Sequence, residues 1–214
     1  MDKEKHKSIS KLQRYKGVIK NGLFLFGIRN RLAKAGLDIE PYYWVQEEVV
    51  PCKLPEVKGG ASGFVVKEIG LKEIEVLRSF QSDREFYELI KGIENGQLCF
   101  GLEHNGDLAA YTFVELKDFE FKGRKFKLKA HEAYLLNMWT FHAYRGRNLA
   151  PYLRCQTYKI LKEQGRDVKY SITNYFNKSS AKFKNKLNSK NLSLHLSIVL
   201  FGKHTWNFKM KTYK

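Results

Sequence analysis

The chain has 214 residues, 39 Lys+Arg against 22 Asp+Glu, and a formal charge of +17. Hydrophobic residues at 43% and aromatics at 14% are enough for a real core and exclude wholesale disorder, and four prolines without a Gly-X-Y period exclude collagen-like and proline-rich designs. The length suits one ample domain, or one domain with a long arm.

Cys52, Cys99 and Cys155 are odd in number and far apart, with no CxxC pair. That spacing argues against a disulfide scaffold and a structural zinc site, and for a reducing, cytoplasmic compartment. The apolar run from Gly22 to Ile28 is too short to span a membrane and has no small-residue cleavage site, because Arg29 and Arg31 follow. The charge is unevenly spread: residues 1–36 carry a net +8, residues 37–107 a net −7 and residues 108–214 a net +16. A basic half attracts anions, whether nucleic acid, anionic lipid or a phosphorylated cofactor.

In chain order, residues 8–35 read as a basic helical arm interrupted by Gly17, Gly22 and Gly27. Asp38 to Gly63, with Pro41, Pro51, Pro55 and Gly59-Gly60, reads as an irregular connector whose cluster Pro41-Tyr42-Tyr43-Trp44 packs on the main domain or rims a pocket. From Phe64 the pattern is regular. Phe64 to Ile69 is a strand, and Leu71 to Phe80 and Asp83 to Glu94 are helices, the second closed by Asn95-Gly96. Gln97 to Glu103 and Leu108 to Glu115 form a hairpin about His104-Asn105-Gly106-Asp107. Glu132 to Phe141 is a central strand, Asn148 to Gln164 a helix with Pro151 in its first turn, and Val168 to Thr173 a strand. Asn177 to Leu187 is a helix, and Leu192 to Leu200 pairs with Trp206 to Thr212. The expectation is an α+β fold: a mixed, mostly antiparallel central sheet flanked by helices, with an N-terminal helical and irregular extension over residues 1–61 and the main domain over residues 62–214.

The segment from Thr140 to Ala150 runs from a buried strand directly into a helix and holds the basic tail Arg145-Gly146-Arg147-Asn148-Leu149-Ala150. N–H groups unsatisfied within the helix converge there with the positive dipole end, which suits a pyrophosphate. This tail resembles the Arg/Gln-x-x-Gly-x-Gly/Ala signature of the GCN5-related N-acetyltransferases. Arg145, Leu149 and Ala150 match, while Asn148 stands where the family usually has glycine and His142 where it has proline. Asparagine tolerates positive φ and caps helices, which preserves the loop. Downstream, Asn177, Ser180 and Phe183 match the family's Asn, small and aromatic positions on the helix after the next strand. The resemblance covers roughly residues 62–190.

The resemblance implies a transferase that moves an acetyl group from acetyl-CoA, or another acyl-CoA, to a small-molecule primary amine by direct attack. An amino sugar or amino acid derivative is the expected acceptor, and no metal is required. The implied CoA-binding residues are Met138, Thr140, Arg145, Gly146, Arg147, Asn148, Leu149, Ala150, Asn177 and Ser180. The backbone N–H of Met138 is the expected oxyanion donor, and the candidate bases are Glu132, on the same strand parity, and His142. The family tyrosine that reprotonates the thiolate is replaced by Lys184, with Tyr175 as another candidate acid. Cys155 and Cys99 read as packed residues. Acceptor pockets are expected around Pro41–Trp44, Leu77–Glu88 and the closing strands. Two other readings use the same features: a lipid-linked or surface-polysaccharide acceptor, with residues 8–35 on the membrane surface, and a non-catalytic anion- or RNA-binding module. The aromatic residues form no stacking motif, so no specific nucleic acid is expected. The protein is expected to be cytoplasmic, as a monomer or homodimer.

Overall fold

The computed structural model describes residues 24–79 and 82–214. Residues 8–23 of the expected arm, and the end of the helix expected over 71–80, lie outside the described residues. The remainder of the arm is helix α1, Phe24–Lys34. It stops at Gly36, whose φ of +95° is the left-handed turn that commonly ends a helix.

The expectation of an irregular connector over 38–63 is corrected in its first part. Leu37–Glu47 is an eleven-residue strand, β1, so the sheet begins well before residue 62. The other strands are β2 (Phe64–Glu68), β3 (Leu98–His104), β4 (Asp107–Glu115), β5 (Phe119–Phe121), β6 (Arg124–Phe126), β7 (Glu132–Thr140), β8 (Val168–Asn174), β9 (Lys190–Leu200) and β10 (His204–Thr212). Eight of them form one sheet in the order β10-β9-β1-β8-β7-β4-β3-β2, and β5-β6 is a separate hairpin. Every pair in the large sheet is antiparallel except β7 with β8.

Proline usually argues against a central strand, and Pro41 is the residue that disguises β1. The β1–β8 ladder starts only at Tyr42, paired with Asn174. The Pro41 carbonyl accepts from Tyr175 N–H on that same side. The missing Pro41 N–H therefore falls where no ladder bond is required. The β5-β6 hairpin is a further element that the sequence pattern does not reveal. Its turn, Lys122-Gly123, has φ of +53° and +75°, the positive pair that a two-residue hairpin favours.

Helices α4 (Leu149–Glu163) and α5 (Lys178–Asn185) cover one face of the sheet, and α2 (Leu71–Ile74), a 3-10 turn at Glu75–Ser79 and α3 (Asp83–Glu94) cover the other. Ser82 caps α3 reciprocally with Glu85. Leu153 and Leu161 of α4 are fully buried, and truncating either to alanine is expected to cost about 2–5 kcal/mol. Parallel strands need a crossover, and α4 provides it between β7 and β8.

The cysteine expectation is also corrected. Cys52 and Cys155, 103 residues apart in sequence, form a disulfide with their Cα atoms 6.6 Å apart. The inner face of α4 meets the segment after β1, a proximity that linear spacing does not encode. With that bond in place, the cysteines no longer point to a reducing compartment. Cys99 is buried, as expected, and burial pushes its thiol up to about 12. No helix among the described residues is long and apolar enough to cross a membrane.

Candidate active site

Strand β7 changes partners along its length. It pairs with β8 only over Glu132–Tyr134, opposite Val168–Tyr170, and from Leu135 onward the two strands part. Strand β4 stays beside it as far as Thr140, with a bulge at Asn137, whose φ is +49°. The parting leaves a slot along one side of β7. The Phe141 N–H donates to the Ala109 carbonyl of β4 at 3.0 Å. By strand alternation the backbone groups of Thr140 and Met138 then turn the other way, to the slot. In agreement, the Thr140 carbonyl accepts from Arg145 Nε at 3.0 Å; the buried Thr140 Oγ1 has no hydrogen-bond partner among the described residues.

The loop after β7 needs two left-handed residues to turn into α4: Gly146 at φ +82° and Asn148 at φ +67°. Asparagine satisfies the second as its tolerance predicts. Its side chain does not cap the helix; Nδ2 donates to the Glu56 carbonyl at 2.9 Å, and Oδ1 accepts from Lys186 Nζ at 3.5 Å. The first-turn N–H groups of Leu149 and Ala150 have no acceptor within the helix, and Pro151 has no N–H to satisfy. They face a cleft of about 620 Å³ lined by Met138, Thr140, Arg145, Gly146, Asn148, Leu149 and Ala150. A Cβ placed on Gly146 would meet nothing within 4 Å.

Seven of the expected CoA-binding residues are thus gathered in one cleft. Arg147 is not in its lining. The Arg147 guanidinium lies 4.9 Å over the Phe64 ring and its Nε donates to the Lys58 carbonyl at 3.3 Å. Asn177 caps α5 by accepting from Ser180 N–H at 3.0 Å, and the residue of that helix that reaches the cleft is Ser179. Lys58 and Lys186 add positive charge to the lining. The run Lys178–Lys190 suggests a solvated helix face or a hold on a cofactor phosphate, whereas nothing in the sequence points to Lys58. Both lie far along the chain, and only the docking of 56–60 and α5 against the loop brings them in.

The candidate bases are not brought to the cleft. Glu132 is buried at the opposite end of β7, accepting from Lys129 N–H at 2.9 Å and Tyr170 hydroxyl at 3.3 Å. Six extended residues separate it from Met138, about 20 Å. His142 is exposed, outside the cleft lining, in the 3-10 turn His142–Tyr144. Tyr175 is 47% exposed. Lys184, in the place of the family tyrosine, is buried against β8. It donates to Ser171 Oγ (2.7 Å), the Ile172 carbonyl (3.2 Å) and Thr173 Oγ1 (2.5 Å), and lies 3.5 Å from Glu47 Oε1. Burial pushes its pKa down to about 8, with the Glu47 carboxylate opposing and Arg154 adding to the fall. Glu47 also has Arg154 Nε at 3.5 Å and accepts from Tyr158 hydroxyl. Burial alone would raise its pKa, but Arg154 and Lys184 outweigh it and hold the carboxyl below its ordinary value. This cluster joins β1, β8, α4 and α5, and so holds the two helices whose N-terminal ends border the cleft.

A second cleft of about 390 Å³ adjoins the first, sharing Met138 and Trp139. Its other walls are Arg84, Glu85, Glu88 and Leu89 of α3, Tyr111 of β4 and Asn137 at the bulge. Glu85 is occupied by its cap, accepting from Ser82 Oγ at 2.7 Å and Ser82 N–H at 3.1 Å. Glu88 is exposed and engaged by no hydrogen bond or ion pair among the described residues. Its signal in the sequence was only its place within Leu77–Glu88, one of the expected acceptor segments.

No protein-family model matches the sequence, and no curated protein does. Solved structures do match. An acetyltransferase of the GNAT family from Colwellia psychrerythraea is 16% identical with a TM-score of 0.54, covering 85% of this chain and 61% of that one. A GCN5-related N-acetyltransferase-like protein from Streptococcus suis is 13% identical at TM-score 0.51, covering 82% and 67%. A glucosamine N-acetyltransferase region of a fungal multi-domain β-N-acetylglucosaminidase is 12% identical at TM-score 0.57, covering 86% of this chain and 23% of that one. The chain spans two thirds or less of the length of most of these structures. The fold is that of the GCN5-related N-acetyltransferases.

Proposed function

We propose that this protein is an acetyl-CoA-dependent N-acetyltransferase acting on a small-molecule primary amine. One observation carries the reading. The parted strand β7 and the loop 145–150 line one cleft, which meets a second, carboxylate-walled cleft at Met138 and Trp139.

Acetyl-CoA supplies an activated thioester when bound. The N–H groups of Leu149 and Ala150, with Lys58 and Lys186, would hold its pyrophosphate. The slot-facing backbone of Thr140 and Met138 would align the pantetheine arm as an added strand. The Met138 N–H would donate to the thioester oxygen as negative charge develops, a contribution of about 3 kcal/mol for a well-placed donor. The amine would enter from the second cleft, where the Glu88 carboxylate attracts the ammonium form. After that ammonium loses one proton to solvent, the neutral amine would attack the thioester carbon, and Glu88 would take the second proton as the C–N bond forms. The C–S bond would then break to release the CoA thiolate, which solvent protonates. The acidic wall favours a cationic acceptor, and amino sugars belong first in the substrate panel.

Calorimetry with acetyl-CoA, followed by an amine panel read by free-thiol release, tests the proposal. A saturable site is expected, and a Gly146→Glu chain should lose it while keeping its fold. Saturation at a hundredfold excess over Kd should add about 2.7 kcal/mol of stability. If acetyl-CoA gives neither saturable heat nor a thermal shift, the proposal fails.

A further inference from the structure

The β5-β6 hairpin and the segment after it wall a separate concavity of about 710 Å³, at the Glu132 end of β7. Its aromatic wall is closed: Trp44 lies 4.6 Å from Phe126 and 4.8 Å from Tyr170, ring centre to ring centre. Its rim is basic. Arg124, Lys125, Lys127, Lys129 and Lys209 line it, against two carboxylates, Asp118 and Glu132.

Both carboxylates are already used. Asp118 accepts from Leu128 N–H at 2.9 Å, and Glu132 from Lys129 N–H and Tyr170 hydroxyl. No carboxylate among the described residues lies within salt-bridge distance of any of the five cations. Arg124 is the most telling of them, being half-buried on the hairpin. Its Nη1 is 2.6 Å from His195 Nδ1. A guanidinium only donates, so Nδ1 accepts and Nε2 carries the hydrogen, given to Ser193 Oγ at 2.7 Å. The ring is therefore neutral; burial first, then Arg124 and Lys209, push its pKa down to about 4. Arg124 thus meets the neutral His195 ring and the Phe126 ring, 5.7 Å away, and among the described residues no carboxylate offsets its charge in the concavity.

We propose that this concavity is an oxyanion site, separate from the candidate active site, that takes a soluble polyphosphate, free or as the phosphate chain of a nucleotide. Arg124 presents a fork that matches phosphate oxygens, and the lysines are point charges spread around it. An excess of three positive charges calls for a multiply charged ligand. The enclosure under a hairpin favours a small soluble group over a flat lipid surface. The site lies about 20 Å along β7 from Met138, so it neither uses nor requires the transferase reading.

Inorganic tripolyphosphate titrated into the 15N-labelled full chain tests it. Saturable shifts are expected in the amides of residues 124–129 and 209, separable from any shifts at 145–150 caused by the other cleft. A Lys127→Gln, Lys209→Gln double variant, altering exposed side chains only, should weaken the 124–129 response at least tenfold and leave the 145–150 response unchanged. Shifts confined to 145–150, an unweakened response in the double variant, or binding to phosphatidylglycerol vesicles without binding to tripolyphosphate would each overturn the proposal.

Discussion

Replacing Glu47 with glutamine tests the buried cluster beneath the cleft. Glu47 Oε2 lies 3.5 Å from Arg154 Nε and Oε1 lies 3.5 Å from Lys184 Nζ, with all three side chains almost wholly buried. At an effective dielectric near 20, each attraction is roughly 5 kcal/mol before desolvation is counted. Glutamine keeps the shape and an acceptor for Tyr158 but leaves two cations unpaired, which should cost about 3–5 kcal/mol. The loss should depend on pH. Lys184 titrates near 8 in the fold against 10.5 as its ordinary value, so the unfolded chain binds more protons between those values and stability rises with pH there. Without Glu47 the folded-state pKa falls further, and that rise begins at lower pH. The deficit of Glu47→Gln, measured by urea denaturation, should therefore be larger at pH 7 than at pH 9. A deficit under about 1 kcal/mol, or one that is constant or larger at pH 9, refutes the reasoning.

Asn148→Ala forces alanine into the left-handed region at about 1–2 kcal/mol and loses the bond to the Glu56 carbonyl, about 1 kcal/mol. Asn148→Gly loses only the bond, so denaturation should show the alanine chain to be the weaker by about 1 kcal/mol or more. The Cys52–Cys155 bond encloses a separation of 103 residues, and reduction should cost about 2–4 kcal/mol; equal thermal midpoints with and without reductant would rule the bond out in solution. Glu88→Gln should lower kcat by roughly 10²–10⁴-fold with acetyl-CoA affinity unchanged, and an unaltered pH-rate profile would remove Glu88 as the base.

The sequence was most informative where structure is set locally. Asn148 is the clearest case, because its tolerance of positive φ is a property of one residue and survives any context. The strand-to-helix turn at 145–150 was legible for a similar reason. A helix start leaves N–H groups free whatever surrounds it, and the basic, small-residue tail marks such a start. Strand parity points to Glu132, which the fold puts at the far end of β7 from Met138. Parity tells which face of a strand a side chain takes and says nothing of how far along it the chemistry sits. Lys184 was seen as a departure from a family pattern, but its burial against Ser171 and Thr173, and its hold on Glu47, were not foreseeable from its neighbours in sequence.

By itself, the sequence determined the α+β class, the order of elements from Phe64 onward and the loop that turns into α4. These arise from periodicity, capping residues and backbone preferences acting within a few positions. Only the tertiary structure decided that β1 lies between β8 and β9, that Cys52 reaches Cys155, and that Lys58, Lys186 and Glu88 stand around the meeting clefts. Each of these depends on contacts between distant segments, where packing and pairing override a local signal such as the proline in β1, and where nearness in space leaves no mark in linear spacing.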